Sequence, residues 1–158
     1  MRIQYLVIHC TATPEGRKVS ADNIREWHTS PKPKGRGWRQ VGYSDMVHLD
    51  GTVENLVPYN DDDIVDAWEI TNGAKGINGV SRHVVYVGGC DNKMNPKDTR
   101  TPEQLEALKQ YVDKVLKLYP FIKIAGHNQF ASKACPSFDV NTWMKETFDN
   151  RILKNLIK

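Results

Sequence analysis

The run His127-Asn-Gln-Phe-Ala-Ser-Lys133-Ala-Cys135-Pro-Ser-Phe-Asp139 brings an imidazole, an ammonium and a thiol close together in the chain. A neutral imidazole and a thiolate are good zinc ligands, and an amine two residues from the thiol can stabilise negative charge beside a metal. A second imidazole, His9, closes the run Ile3-Gln-Tyr-Leu-Val-Ile-His9, where a strand should hand over to a loop. His9, His127 and Cys135 make three protein ligands and leave the fourth tetrahedral position open, as hydrolytic zinc sites require. The same residues admit another chemistry, with Cys135 as a nucleophile and His127 as its base. Pro136 disfavours the helix start that often activates such a thiol, and His9 would then have no role.

The elements that must position these residues read as α/β. Ile3, Tyr5, Val7 and His9 alternate with Gln4, Leu6, Ile8 and Cys10, and both sets are largely apolar, which marks a central strand covered on both sides. Ser20 caps a short helix through about His28, with Ile24 and Trp27 on its inner face. The prolines and glycines of Ser30 to Gly37 exclude regular structure. Tyr43 to Leu49 and Thr52 to Pro58 predict a hairpin around Asp50-Gly51, and Arg82 to Val87 predicts another strand. Thr101-Pro102-Glu103-Gln104 combines an N-cap, a proline at the first helical position and a Gln that completes a capping box. The helix it opens carries Leu105, Leu108, Val112, Val115, Leu116 and Tyr119 and stops at Pro120. Phe121 to Ala125 returns as a strand that delivers His127, and a last helix from about Asn141 presents Trp143, Phe148, Ile152 and Leu156. Asp61-Asp62-Asp63 reads as a helix start, where carboxylates meet the positive end of the dipole.

Other residues with chemistry to offer receive plainer readings. Strand alternation turns Cys10 away from His9 into packing, and Cys90 has no identifiable partner. His28, His48 and His83 read as structural or solvated, and Thr11 and Thr13 as hydrogen-bonding support for the ligands. Lys32, Lys34, Arg36 and Arg39 surround Trp38 in the proline-rich loop. Such a cluster can bind nucleic acid, but breaks in it and the low net charge favour a solvated loop beside a groove or contact with anionic substrate groups.

Four blocks occur in one order: Val7-Ile-His9-Cys-Thr-Ala-Thr13, Gly42-Tyr43, Tyr86-Val-Gly-Gly89 and Lys133-Ala-Cys-Pro-Ser-Phe-Asp139. Together they resemble the zinc N-acetylmuramoyl-L-alanine amidases of the phage T7 lysozyme and peptidoglycan-recognition-protein superfamily, over roughly residues 3 to 145. The resemblance implies one α/β domain over 1–158, a central mixed β-sheet flanked by helices, and His9, His127 and Cys135 as Zn2+ ligands. It implies catalytic roles for Lys133, beside the developing oxyanion, and Tyr43, whose phenol would orient water or pass a proton to the departing amine. The implied substrate is peptidoglycan, glycan strand and stem peptide together, cut between N-acetylmuramic acid and L-alanine by a bacteriolytic enzyme of phage or prophage type. Some members bind peptidoglycan without cutting it; those usually lose a zinc ligand, and this chain keeps all three. Two histidines common in the family are missing: Ser44 follows the Gly-Tyr pair, and none stands near Gly73 in the loop Asn72 to Ser81. Trp38, Trp68 and Asn78 are candidates to line the substrate groove, with a place in the core as the equal alternative for each Trp.

Composition agrees. At 158 residues the chain can bury a substantial core in one domain. Its formal net charge of +3 does not suggest nucleic-acid binding, and suits approach to an anionic polymer. No run approaches a membrane span, Met1-Arg2 leads into a strand rather than a signal peptide, and three cysteines cannot all pair. The expectation is a monomer made in the cytoplasm with reduced thiols, without membrane insertion, acting on the cell wall after release.

Overall fold

In the computed structural model, which describes residues 1–157, the chain runs β1 (Tyr5–Cys10), β2 (Thr13–Pro14), α1 (Ala21–Thr29), β3 (Asp45–Val47), β4 (Val53–Asn55), β5 (Ser81–Tyr86), β6 (Gly89–Cys90), α2 (Pro102–Leu118), β7 (Lys123–Gly126) and α3 (Val140–Thr147). Five strands form one mixed sheet in the order β4-β3-β5-β1-β7, and β2 pairs with β6 in a small second sheet. β1 lies between β5 and β7, parallel to both, as its two apolar faces require. β4 is antiparallel to β3, with Met46 opposite Glu54, and Asp50-Gly51 forms the turn between them. Gly51 has φ +86°, and the Asp50 carboxylate accepts the Thr52 N–H.

Alternation sorts the side chains to two layers. Leu6, Ile8, Val84, Tyr86 and Ile124 meet Leu108, Val112 and Val115 of α2 and Val140, Trp143 and Met144 of α3. On the other face Met46, Val85 and Val87 pack with Ile24 of α1. α1 and α2 begin at capping boxes, Ser20 with Asn23 and Thr101 with Gln104. Gln104 is fully buried and donates from Nε2 to Val87 O at 3.0 Å, so the cap also ties α2 to the sheet.

Three sequence expectations are corrected. Asp61, Asp62 and Asp63 do not start a helix: Asp62 accepts the Ile64 N–H, Asp63 O accepts the Ile3 N–H at 2.7 Å, and the segment pairs with the chain start through Arg2. Asx turns compete with a helix wherever the carboxylate can reach the backbone two residues on. The last helix ends at Thr147, with Phe148 as its cap; Asp149 then accepts the Arg151 N–H and opens a separate 3-10 turn, Asn150–Asn155. Tyr43 lies just before β3 rather than within it.

Candidate metal centre

His9 stands near the end of β1 on the α1 side of the sheet, opposite to Leu6, Ile8 and Cys10. His127 begins a 3-10 turn directly after β7, and Cys135 follows in the loop toward α3. Two hydrogen bonds hold that loop: the Asn128 N–H donates to Cys135 O at 2.7 Å, and the Tyr86 hydroxyl donates to Pro136 O at 2.6 Å. Gly126 allows the close approach, since a Cβ there would lie 2.9 Å from Pro136 Cδ.

These constraints bring one ligand atom from each of His9, His127 and Cys135 within 4.8 Å of one another. His9 Nδ1 is 3.7 Å from Cys135 Sγ. Ligands of one tetrahedral zinc stand about 3.5 Å apart when each bond is about 2.0–2.3 Å, so the donor set and its spacing fit such an ion. The Cys10 N–H points at Cys135 Sγ from 3.3 Å, a contact that favours a thiolate.

Electrostatics leave the imidazoles neutral. Burial, followed by the neighbouring His83, His127, His28 and Lys133, pushes His9 well below the usual histidine range, and burial and then Lys133 lower His127. The hydrogen bond with the Cys10 thiol, then burial, pushes the Cys135 thiol up, because the two cysteines compete for a proton. Neutral imidazole is the form that binds a metal, and metal binding displaces the thiol proton.

The three candidate ligands line a cavity of about 810 Å³. Tyr43 and Lys133 both line it, as do Trp27, His28, Trp38 and Phe130. The Tyr43 ring lies 5.1 Å from that of His9, and burial, then the thiols of Cys135 and Cys10, pushes its phenol up. Lys133 is exposed at the rim. Arg36, Arg39 and Lys75 add positive charge, and no carboxylate stands among the described lining residues.

Of the groove candidates, Trp38 and Asn78 line the cavity and Trp68 does not: it is 54% exposed elsewhere. Thr11 and Thr13 bond to each other at 2.7 Å and Thr11 to Gly88, bracing the loop after β1 rather than a ligand side chain. His48 pairs with Glu54 on the outer hairpin. His28, fixed where Nδ1 accepts the Gly42 N–H at 2.9 Å, is part of the cavity wall. Sequence reasoning missed His83, whose Nδ1 is 2.8 Å from His9 Nε2. Nothing in the sequence signalled it: the pairing of His83 with Val7 on adjacent strands, two residues before His9 and on the same face, exists only in the register of the sheet.

The sequence pattern of the N-acetylmuramoyl-L-alanine amidase family matches residues 1–138. The endolysin of Enterobacteria phage K11 is 39% identical over 138 residues, which cover 87% of this chain and 83% of that protein. The endolysin of Escherichia phage T7 is 34% identical over 141 residues, covering 89% and 85%. Among solved structures, the Ph2119 endolysin from a Thermus scotoductus MAT2119 bacteriophage superposes with a TM-score of 0.70 at 26% identity, over 93% of this chain and 86% of that one. Joined to the α/β sheet and to the convergence of His9, His127 and Cys135, these likenesses show that the chain belongs to the N-acetylmuramoyl-L-alanine amidase family.

Proposed function

We infer that the protein is a zinc-dependent N-acetylmuramoyl-L-alanine amidase that hydrolyses the amide joining the lactyl group of N-acetylmuramic acid to L-alanine in bacterial peptidoglycan. The observation that carries this reading is the meeting of three candidate ligand atoms within 4.8 Å in the lining of an open cavity. His9, His127 and Cys135 would hold the ion, which would supply Lewis-acid polarisation of the scissile carbonyl and an acidified water. Lys133, two residues from the Cys135 ligand, adds a cation where negative charge develops on the carbonyl oxygen. Tyr43 keeps its proton, so its phenol can orient the attacking water and donate toward the departing alanine nitrogen. Arg36, Arg39 and Lys75 suit the carboxylates of a stem peptide, while Trp38 offers a flat face to a sugar. The enzyme is read as a monomer over residues 1–158 that acts on the cell wall after release.

A cysteine peptidase built on Cys135 and His127 is less well supported. The imidazole nitrogen facing Sγ at 3.7 Å belongs to His9, which is 1% exposed and poorly placed to shuttle protons to a substrate.

Metal analysis together with mass spectrometry of digested cell wall tests the assignment. The expected result is one zinc per chain, stem peptides with a free L-alanine amino terminus, intact glycan strands and no new reducing ends. Full activity in rigorously metal-free protein would sink the zinc reading, and new reducing ends without free alanine amines would sink the amidase reading.

A further inference from the structure

The two ring nitrogens of His9 face different partners: Nδ1 looks toward Cys135 Sγ, and Nε2 lies 2.8 Å from Nδ1 of His83. Both rings are buried, at 1% and 0% exposure, which disfavours charge on either. Between two neutral imidazoles one nitrogen donates and the other accepts. The choice is made one contact further out. His83 Nε2 lies 2.9 Å from Asn78 Oδ1, and the same oxygen accepts the Ala74 N–H at 2.9 Å. An atom that accepts from a backbone amide is the oxygen of its carboxamide, so His83 Nε2 carries a hydrogen and donates it there. His83 Nδ1 is therefore a lone pair, His9 Nε2 must be the donor, and His9 Nδ1 is left free on the side of Cys135.

Space for this relay is equally specific. A Cβ at Gly73 would lie 2.5 Å from both Cγ and Nδ1 of His83, so a side chain at 73 and the ring at 83 exclude each other. The loop from Asn72 to Ser81 carries no histidine of its own. Here an imidazole comes from β5 instead, across the space that the glycine leaves.

We propose that His83 is the positioning residue for His9, with Asn78 fixing the His83 tautomer and Gly73 making room for its ring. The proposal rests on the zinc reading above, in which His9 Nδ1 is a ligand. A second imidazole that fixes the tautomer and orientation of a ligand raises metal affinity without touching the metal.

Nitrogen-15 NMR of the metal-free protein at neutral pH reads the tautomers without any variant. Both His9 and His83 should carry hydrogen on Nε2, and a His9 with hydrogen on Nδ1 overturns the proposal while leaving the zinc reading untouched. Zinc affinity by chelator competition is the second readout. His83→Leu should weaken binding by about 10–100-fold and release the His9 tautomer. Gly73→Ala should act in the same direction by displacing the ring. His83→Asn, whose Oδ1 can accept the same N–H, should recover most of the affinity. Unchanged affinity and an unchanged His9 tautomer in His83→Leu would overturn the proposal. An unmodified chain that binds no zinc would overturn the metal assignment instead, and the tautomer result would stand by itself.

Discussion

The two faces of the main sheet are built from the same strands and do opposite things. On the α2–α3 face, Leu6, Ile8, Val84, Tyr86 and Ile124 sit in a continuous apolar layer closed by two helices. On the α1 face, Val85 and Val87 join a smaller cluster with Met46 and Ile24, and the remainder of that face opens into the cavity above His9. One residue of β1 separates the two worlds: Ile8 is core and His9 is a candidate ligand. Within β1 the pleat divides stability from chemistry, while Tyr86 and Cys10 of the apolar face reach the loop carrying Cys135, so damage to that face away from these two residues should spare the site.

The largest expected effect is on the cavity face. His127→Ala should lose zinc and hydrolysis together while the α2–α3 layer stays folded. Cys135→Asp should bind zinc more weakly yet keep measurable hydrolysis that rises with added zinc, since a carboxylate can ligate but cannot form a thioester. An Asp variant that binds zinc stoichiometrically and is inactive, beside an unmodified enzyme that works without metal, would make Cys135 a nucleophile.

Lys133→Ala should retain zinc and lose about 100-fold in turnover, the scale of removing one oxyanion stabiliser. Tyr43→Phe should also keep metal and slow hydrolysis. Near wild-type rates in both would mean that the chemistry beside the metal is done by other groups.

Leu108→Ala tests the closed face. Leu108 is fully buried between α2 and the sheet, so the truncation should cost about 2–5 kcal/mol in chemical denaturation. Zinc stoichiometry and turnover of the folded fraction should be preserved. A large loss of zinc affinity at unchanged fold would show that the faces are coupled.

The smallest effect is on pH dependence. His28 Nδ1 accepts the Gly42 N–H, which a protonated ring cannot do, and burial, then Arg36, holds its pKa down to about 4 from 6.5. The unfolded chain therefore takes up the proton first as pH falls. The stabilisation from neutral His28 is present above about 6.5 and lost as pH drops toward about 4. His28→Asn, which keeps an acceptor but does not titrate, should make denaturation midpoints fall less steeply over that window. An unchanged slope would place the acid sensitivity elsewhere.

Much of this could be read in the chain because it is local or periodic. The period-two pattern of Ile3 to Cys10, the Thr101–Gln104 capping box and the Asp50-Gly51 turn each carry their own conformational cause within a few residues. The candidate ligand set could be proposed because His9, His127 and Cys135 sit in blocks whose order is that of a known family. Where nearby hydrogen bonds compete, the pattern misled: Asp61 to Asp63 turn rather than start a helix, and Asp149 breaks the last one. Only the tertiary structure decided that β5 brings His83 beside His9, that the Tyr86 hydroxyl secures the loop carrying Cys135, and that Trp38 but not Trp68 walls the cavity. Those outcomes depend on strand order, register and the void at Gly73, which arise between segments far apart in sequence and leave no periodic trace within either one.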